Sequence, residues 1–293
     1  MATNRRQFLT GAALGTAALG TVAHTQSDIK RPGCTPKTNF AVNVEMWWRK
    51  EKNFLKRLEH AADLGFPAIE FWPWKNKDIN AVAETCEKRR LQVAQFTAWG
   101  FRPGLNEKKN HKQFVERIEQ GCEVAKKLKC KLMTVVGGDD VKGLTQEQMH
   151  ENIIIGLKLA APIAEKNGVT LILEPMNIRV DHKGHCLYGS APTIRICQAV
   201  NSKAVKINWD LYHMQITEGD LCGHLREGKD HIGYVQLADH PGRNEPGTGE
   251  IHYPRVFQEL KKIGYSGFVG LECRPKKKEY EAALAIHRAD SQW

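Results

Sequence analysis

From Phe40 onward the chain alternates between two patterns. Short apolar runs occur at Phe40–Trp48, Ala68–Trp74, Val93–Trp99, Leu132–Gly137, Thr170–Met176, Val205–Leu211, Ile232–Ala238 and Phe268–Cys273. Each is bounded by Gly, Pro, Asn or Asp, the signature of buried parallel strands. Charged segments with helical spacing lie between them. Phe54, Leu55, Leu58, Ala61, Ala62 and Leu64 follow that spacing and Gly65 supplies the stop. Phe114, Val115, Ile118, Cys122, Val124, Ala125 and Leu128 repeat it, while Gly168 and Gly264 close helices starting near Gln146 and Pro254. Strand–helix units repeated eight times over about 250 residues predict a closed (β/α)8 barrel. A doubly wound open sheet would want a Gly-rich phosphate turn after its first strand, and the segment after Phe40–Trp48 has none.

The N-terminus follows a different rule. Arg5 and Arg6 precede Gln7-Phe8-Leu9 and an uncharged Gly/Ala/Leu/Thr stretch through Ala23. That order predicts a twin-arginine export signal, with a cleavage site near Ala23. Residues 1–37 are therefore expected to be signal and short tether, and residues 38–293 one catalytic barrel domain in the periplasm or beyond. An uncleaved N-terminal anchor is the alternative. No later run is long and apolar enough to span a bilayer, so no membrane partner is expected after cleavage.

Charge changes the picture little. The excess of 43 basic over 33 acidic residues, +10, is spread as Lys on helix-like segments such as Lys126-Lys127-Leu128-Lys129. No basic cluster interleaves with aromatics in a nucleic-acid module, so a nucleic-acid partner is not expected. A basic surface favours anionic small molecules. The eight cysteines form no CxxC pair and no Cys/His zinc spacing, and are expected to be mostly free thiols. Oligomeric state is open, a homo-oligomer included.

In a barrel, residues at the C-terminal strand ends share one mouth. Glu174, Asp210, Gln236 and Glu272 stand late in four consecutive apolar runs, at gaps close to the roughly 30 residues of one strand–helix unit. Taken singly, each acidic residue is equally a helix cap or salt-bridge partner. Together, three crowded carboxylates call for a cation, and all-oxygen donors favour Mg2+ or Mn2+ over structural zinc.

Four segments carry a family resemblance: Leu173-Glu174-Pro175-Met176-Asn177, Trp209-Asp210-Leu211-Tyr212-His213-Met214-Gln215, Gln236-Leu237-Ala238-Asp239, and the stretch from Pro241 to Ile251 containing Glu245-Pro246-Gly247-Thr248-Gly249-Glu250. They look like hydroxypyruvate isomerase, a member of the xylose isomerase-like barrels. The resemblance implies metal-binding roles for Glu174, Asp210, Gln236 and Glu272, and proton shuttling by Glu174 and Glu272. It implies substrate contact by His213, or else a buried histidine behind the site. His185 is a weaker candidate for substrate contact, and Arg243 is placed to clamp a carboxylate bidentately. The implied activity is metal-dependent isomerisation of a small α-hydroxy-carbonyl compound through an ene-diolate, hydroxypyruvate and tartronate semialdehyde first. The first half departs from the pattern: Val93-Ala94-Gln95-Phe96-Thr97 lacks the histidine expected at the third strand. Trp47, Trp48, Trp72, Trp74 and Trp99 form either a stacking wall for a larger substrate or packing under the loops.

Rival readings are a ketose 3-epimerase or other sugar or sugar-acid isomerase, a phosphate-ester nuclease, and a non-catalytic periplasmic binding protein. The epimerases usually carry histidine where Gln236 stands and a further Glu soon after the first metal glutamate, where Asn177, Ile178, Arg179 and Val180 stand instead. A nuclease wants histidines at successive strand ends.

Overall fold

In the computed structural model, which describes residues 29–293, eight parallel strands close into a barrel in sequence order. They are β1 Phe40–Asn43, β2 Ala68–Phe71, β3 Gln92–Trp99, β4 Leu132–Val136, β5 Thr170–Glu174, β6 Val205–Asp210, β7 Ile232–Leu237 and β8 Val269–Leu271. The intervening α-helices are α1 Phe54–Leu64, α2 Ile79–Arg89, α3 His111–Leu128, α4 Gln146–Lys166, α5 Ser190–Val200, α6 Leu211–Thr217, α7 Leu221–Gly228 and α8 Tyr253–Lys262, with α9 Glu279–Ser291 closing the ring. The helix stops act as read: Gly65 takes the left-handed conformation at φ 93° and receives the end of α1.

Several expected strands end earlier than their apolar runs. β1 stops at Asn43 because the side-chain oxygen of Asn43 accepts the backbone N–H groups of Glu45 and Met46, at 3.0 and 3.2 Å, and turns the chain. Trp47 and Trp48 therefore lie in a turn, not in the strand. β2 likewise stops at Phe71, and Trp74 opens a short 3-10 helix. The apolarity of these tryptophans reports burial under the loops, which a strand and a packed turn share.

The residues expected to form a tether are partly pinned. Gly33 N–H donates to Leu64 O at 2.8 Å, and the backbone N–H groups of Lys37 and Thr38 donate to the buried Asp290 of α9 at 2.8 and 3.1 Å. Arg5, Arg6 and the apolar run through Ala23 lie outside the described residues. Among the described residues no helix is long and apolar enough to cross a membrane.

The barrel interior is layered along the strands. Ala41, Ala68, Ala94 and Ile172 pack around Tyr234 in an apolar layer. Two positions further on, the strands present Asn43, Glu70, Glu174 and Gln236, all buried. Polar side chains thus fill the middle of the barrel before the mouth is reached.

Candidate active site

Glu174 is the last residue of β5, Asp210 the last of β6, and Glu272 stands one residue beyond β8. Together with His213 in the first turn of α6, each offers a ligand atom within 4.8 Å of the others, and all four are buried. The fold has brought residues far apart in the chain to one spot, because each sits where its strand opens into the mouth.

The electrostatics of this cluster are unfavourable without a counter-charge. Burial, then the charges of Glu272 and Asp210, hold the Glu174 carboxyl well above its usual range. Burial, then Glu272, pushes Asp210 up to about 8. Asp210 Oδ1 accepts from Tyr212 N–H at 2.8 Å and so starts α6, whereas Oδ2 is buried with no hydrogen-bond partner. Carboxylate oxygens crowded, buried and partly unspent fit a hard divalent cation.

His213 belongs to the cluster by position but not by donor type. Asn177 Oδ1 accepts the backbone N–H groups of Val180 and Asp181, at 3.0 and 3.1 Å, which fixes its amide orientation. Its Nδ2 must then donate to His213 Nδ1, 2.7 Å away. Burial, then the cation of Arg243, holds the His213 pKa well below its ordinary value, so the ring is neutral. The single ring proton is left on Nε2, which lies 3.5 Å from Asp210 Oδ2 and 4.0 Å from Glu174 Oε1. A protonated nitrogen cannot ligate a metal; it can donate to an oxygen in the mouth.

Glu272 is held from both sides. Trp72 Nε1–H donates to Oε1 at 2.8 Å and Arg243 Nη2 to Oε2 at 2.7 Å. Arg243 sits in the left-handed region at φ 55°, with its guanidinium 5.0 Å from the centre of the Tyr212 ring and 3.9 Å from Asp210 Oδ2. Its Nε is buried without a partner. The loop that carries it is organised by Asp239. Oδ2 of that residue accepts N–H groups from Gly247, Thr248 and Gly249, and Oδ1 those of His240 and Ile251. Gly249 is needed there because a Cβ would crowd the His240 carbonyl oxygen.

Gln236 pairs in register with Asp210, yet both ends of its amide are engaged: Nε2 donates to Glu70 at 2.9 Å and Oε1 accepts from Asn208 at 2.6 Å. The amide oxygen keeps a second lone pair. His185 is buried but is not one of the clustered ligand groups. Its Nδ1 is bound to the Leu187 backbone, its ring packs edge-on to Phe101, and burial brings its pKa down to about 4. His182, not singled out from the sequence, stacks on Phe101 and packs against His213.

Of the five tryptophans named from the sequence, Trp47 and Trp99 are buried packing, and Trp72 is the one bonded to the carboxylate cluster. Glu70, Asn177 and Asp239 are residues to which the sequence reading gave no role, and Trp72, expected to stack or pack, instead bonds a carboxylate. Glu70 carried a usable signal: it stands late in the apolar run Ala68-Ile69-Glu70-Phe71, as Glu174 does in its own.

Comparison with known proteins places this geometry in a class. Residues 58–289 match the family described as xylose isomerase-like TIM barrel. Hydroxypyruvate isomerase of Escherichia coli (strain K12) is 32% identical over 248 residues, covering 81% of this chain and 93% of the relative. The 2-oxo-tetronate isomerase of Cupriavidus necator is 32% identical over 244 residues, with 81% and 93% covered. A crystal structure from Brucella melitensis described as an AP endonuclease of family 2 superposes with a TM-score of 0.79 at 27% identity, covering 84% of this chain and 96% of that one. The 3-keto-D-glucoside 4-epimerase of E. coli shares the fold, with a TM-score of 0.74 at 21% identity over 87% of this chain and 98% of its own. The chain is thus a xylose isomerase-like barrel. Within that class it belongs to the hydroxypyruvate isomerase family, a family of isomerase enzymes.

Proposed function

We propose that the protein is a metal-dependent isomerase that moves a proton between adjacent carbons of a small α-hydroxy-carbonyl acid, with hydroxypyruvate and tartronate semialdehyde as its first pair. The observation that carries this reading is the buried Glu174–Asp210–Glu272 cluster with the neutral His213 beside it. Glu174, Asp210 and Glu272 would hold the cation, with Gln236 beside Asp210 as the fourth oxygen donor. Mg2+ or Mn2+ suits that donor set. A divalent cation held there would supply Lewis-acid polarisation and screening of the negative charge that develops on the substrate oxygens.

The protein's own groups do the rest. One of Glu174 and Glu272 removes the proton from the carbon next to the carbonyl, and one returns it at the neighbouring carbon. Trp72 and Arg243 hold the Glu272 carboxylate in one plane through both oxygens. His213 Nε2–H donates to a substrate oxygen. Arg243, with its unpartnered Nε–H, receives the substrate carboxylate. His185 shapes the mouth through Phe101. The relatives named above for two short oxo-acids support a carboxylate on the substrate. A nuclease reading lacks support in a cluster with one histidine. Export by the twin-arginine route, as Arg5-Arg6 and the following apolar run suggest, would deliver a folded, metal-loaded enzyme.

Proton NMR of hydroxypyruvate in D2O with purified protein and Mg2+ or Mn2+ tests this. Loss of the CH2 signal with appearance of tartronate semialdehyde is expected. No exchange while metal is bound stoichiometrically would discard the substrate and direct the search to longer oxo-acids and sugars. Absence of metal binding would sink the mechanism.

A further inference from the structure

The middle of the barrel holds a fully buried carboxylate that the mechanism does not use. Glu70 Oε1 accepts from Asn43 Nδ2 and from Gln236 Nε2, both at 2.9 Å, and Oε2 accepts from Gln95 Nε2 at 3.3 Å. All four residues are at most 1% exposed. Strand β8 leaves room for this group: a Cβ on Gly270 would collide with Glu70 Oε2.

An ionised carboxylate only accepts, whereas each amide has one donating and one accepting end. Three amides that share one carboxylate must all turn NH2 inward and oxygen outward. One of those outward oxygens can be checked independently: Asn43 Oδ1 meets the backbone N–H groups of Glu45 and Met46, which can only donate, whereas Gln95 Oε1 takes the Thr134 hydroxyl at 2.8 Å, a group able to donate or accept. The third outward oxygen is that of Gln236, turned toward β6, the strand carrying Asn208 and Asp210. Buried polar groups of this kind are costly unless each one is satisfied, so the orientations lock one another.

We propose that Glu70 is a positioning residue: as the acceptor shared by three buried amides, it fixes Gln236 with its oxygen, not its NH2, presented beside Asp210 to the cation. This rests on the ligand role proposed above for Gln236. Glu70→Gln turns only one acceptor into a donor: in the Oε2 place its NH2 meets Gln95 alone, and its oxygen still accepts from Asn43 and Gln236. Glu70→Met, of similar length, removes both acceptors, and nothing at position 70 then holds the Gln236 NH2 inward.

The test is titration calorimetry of metal-stripped full-length protein with Mn2+ alone, so that no turnover is needed. E70M is expected to bind Mn2+ at least tenfold more weakly, and E70Q, whose amide oxygen can stay on Asn43 and Gln236, to bind within about threefold of wild type. Wild-type affinity in E70M overturns the proposal, and so does a tenfold loss in E70Q, which would assign the effect to charge alone. Should E70M not fold by near-ultraviolet circular dichroism, E70Q carries the test by the same criterion. Q236L reads the premise separately. A loss in Q236L with none in E70M rejects the positioning role alone, and no loss in Q236L removes the ligand role and this proposal with it.

Discussion

The indole N–H of Trp72 lies 2.8 Å from Glu272 Oε1, on the side of the carboxylate opposite Arg243. The two residues are 200 positions apart in the chain, and the bond fixes the plane of a carboxylate proposed to move a proton. Trp72→Phe keeps an aromatic ring in the half-buried mouth and removes only the donor. A hydrogen bond to a charged group contributes about 1.5–3 kcal/mol, so kcat should fall about ten- to hundredfold. The melting temperature should change little. Steady-state kinetics and a thermal melt check this; an unchanged kcat would mean the tryptophan only packs.

Glu174 and Glu272 carry the proposed proton transfer, and each isosteric amide should remove it. E174Q and E272Q are expected to lower turnover by about 10^2–10^4, the usual contribution of a positioned acid or base. E174Q buries one fewer charge and should be as stable as wild type, or slightly more so, without metal; E272Q removes the ion-pair partner of Arg243 and should fold with a lower melting temperature. Deuterium exchange into substrate separates the roles: loss in one variant and retention in the other would identify the first base.

The raised carboxyl pKa values make a pH prediction with a definite sign. Asp210 moves from an ordinary 3.8 to about 8, and Glu70 from 4.5 to about 7, by burial first and then by Glu272. The folded protein therefore binds more protons than the unfolded chain between about pH 4 and 8. Without metal, these groups lower stability progressively as pH rises through that window. Metal binding requires the deprotonated forms and strengthens over the same range. The stabilisation given by Mn2+ should accordingly grow between about pH 5.5 and 8, read as the difference in melting temperature with and without metal. A difference independent of pH would show that these carboxylates do not titrate as described.

Much of this was legible in the sequence because strand period and barrel geometry act on every unit alike. The runs ending in Glu174, Asp210 and Glu272 place a carboxylate at the mouth whatever the loops do. Strand ends were less legible. Trp47 and Trp48 prolong an apolar run that the Asn43 side chain has already turned, and hydropathy cannot separate a buried turn from a strand. The partners of Gln236 were also out of reach. Its position late in β7 was evident, but its bond to Glu70 joins residues 166 positions apart across the barrel. Such pairings depend on which side chains meet inside, and no local pattern encodes that.

The loop that carries Arg243 depends on one side chain. Asp239 accepts five backbone N–H groups between His240 and Ile251, through both oxygens. Asp239→Asn puts an NH2 against some of those donors with no change of size. Each buried donor left unpaired costs about 1–3 kcal/mol, so the melting temperature should drop by several degrees and KM should rise as Arg243 loses its place. A rise in KM with kcat nearly kept would mark Arg243 as a binding group; equal loss in both would place it in the chemical step.

The tautomer of His213 offers the sharpest check on the site, because it follows from hydrogen bonds alone. Asn177 donates to Nδ1, so the proton rests on Nε2 and faces Asp210 and Glu174. Nitrogen-15 NMR of the metal-free protein should show a neutral ring protonated at Nε2. Asn177→Asp keeps the oxygen that accepts from Val180 and Asp181 but turns the other arm into an acceptor. That arm also stands 2.9 Å from Asp181 Oδ2, and with a proton shared between those two carboxyls the ring must carry its own on Nδ1, or take a second one and become cationic. The neutral outcome removes the donor from the mouth, and activity should fall about ten- to hundredfold. The cationic outcome keeps the donor and raises the His213 pKa, so activity should persist at low pH and decline as the ring loses its extra proton. A wild-type spectrum showing the Nδ1–H form would refute the assignment and return His213 to the metal-ligand set, since a bare Nε2 lone pair facing three carboxylates is what a cation site would use.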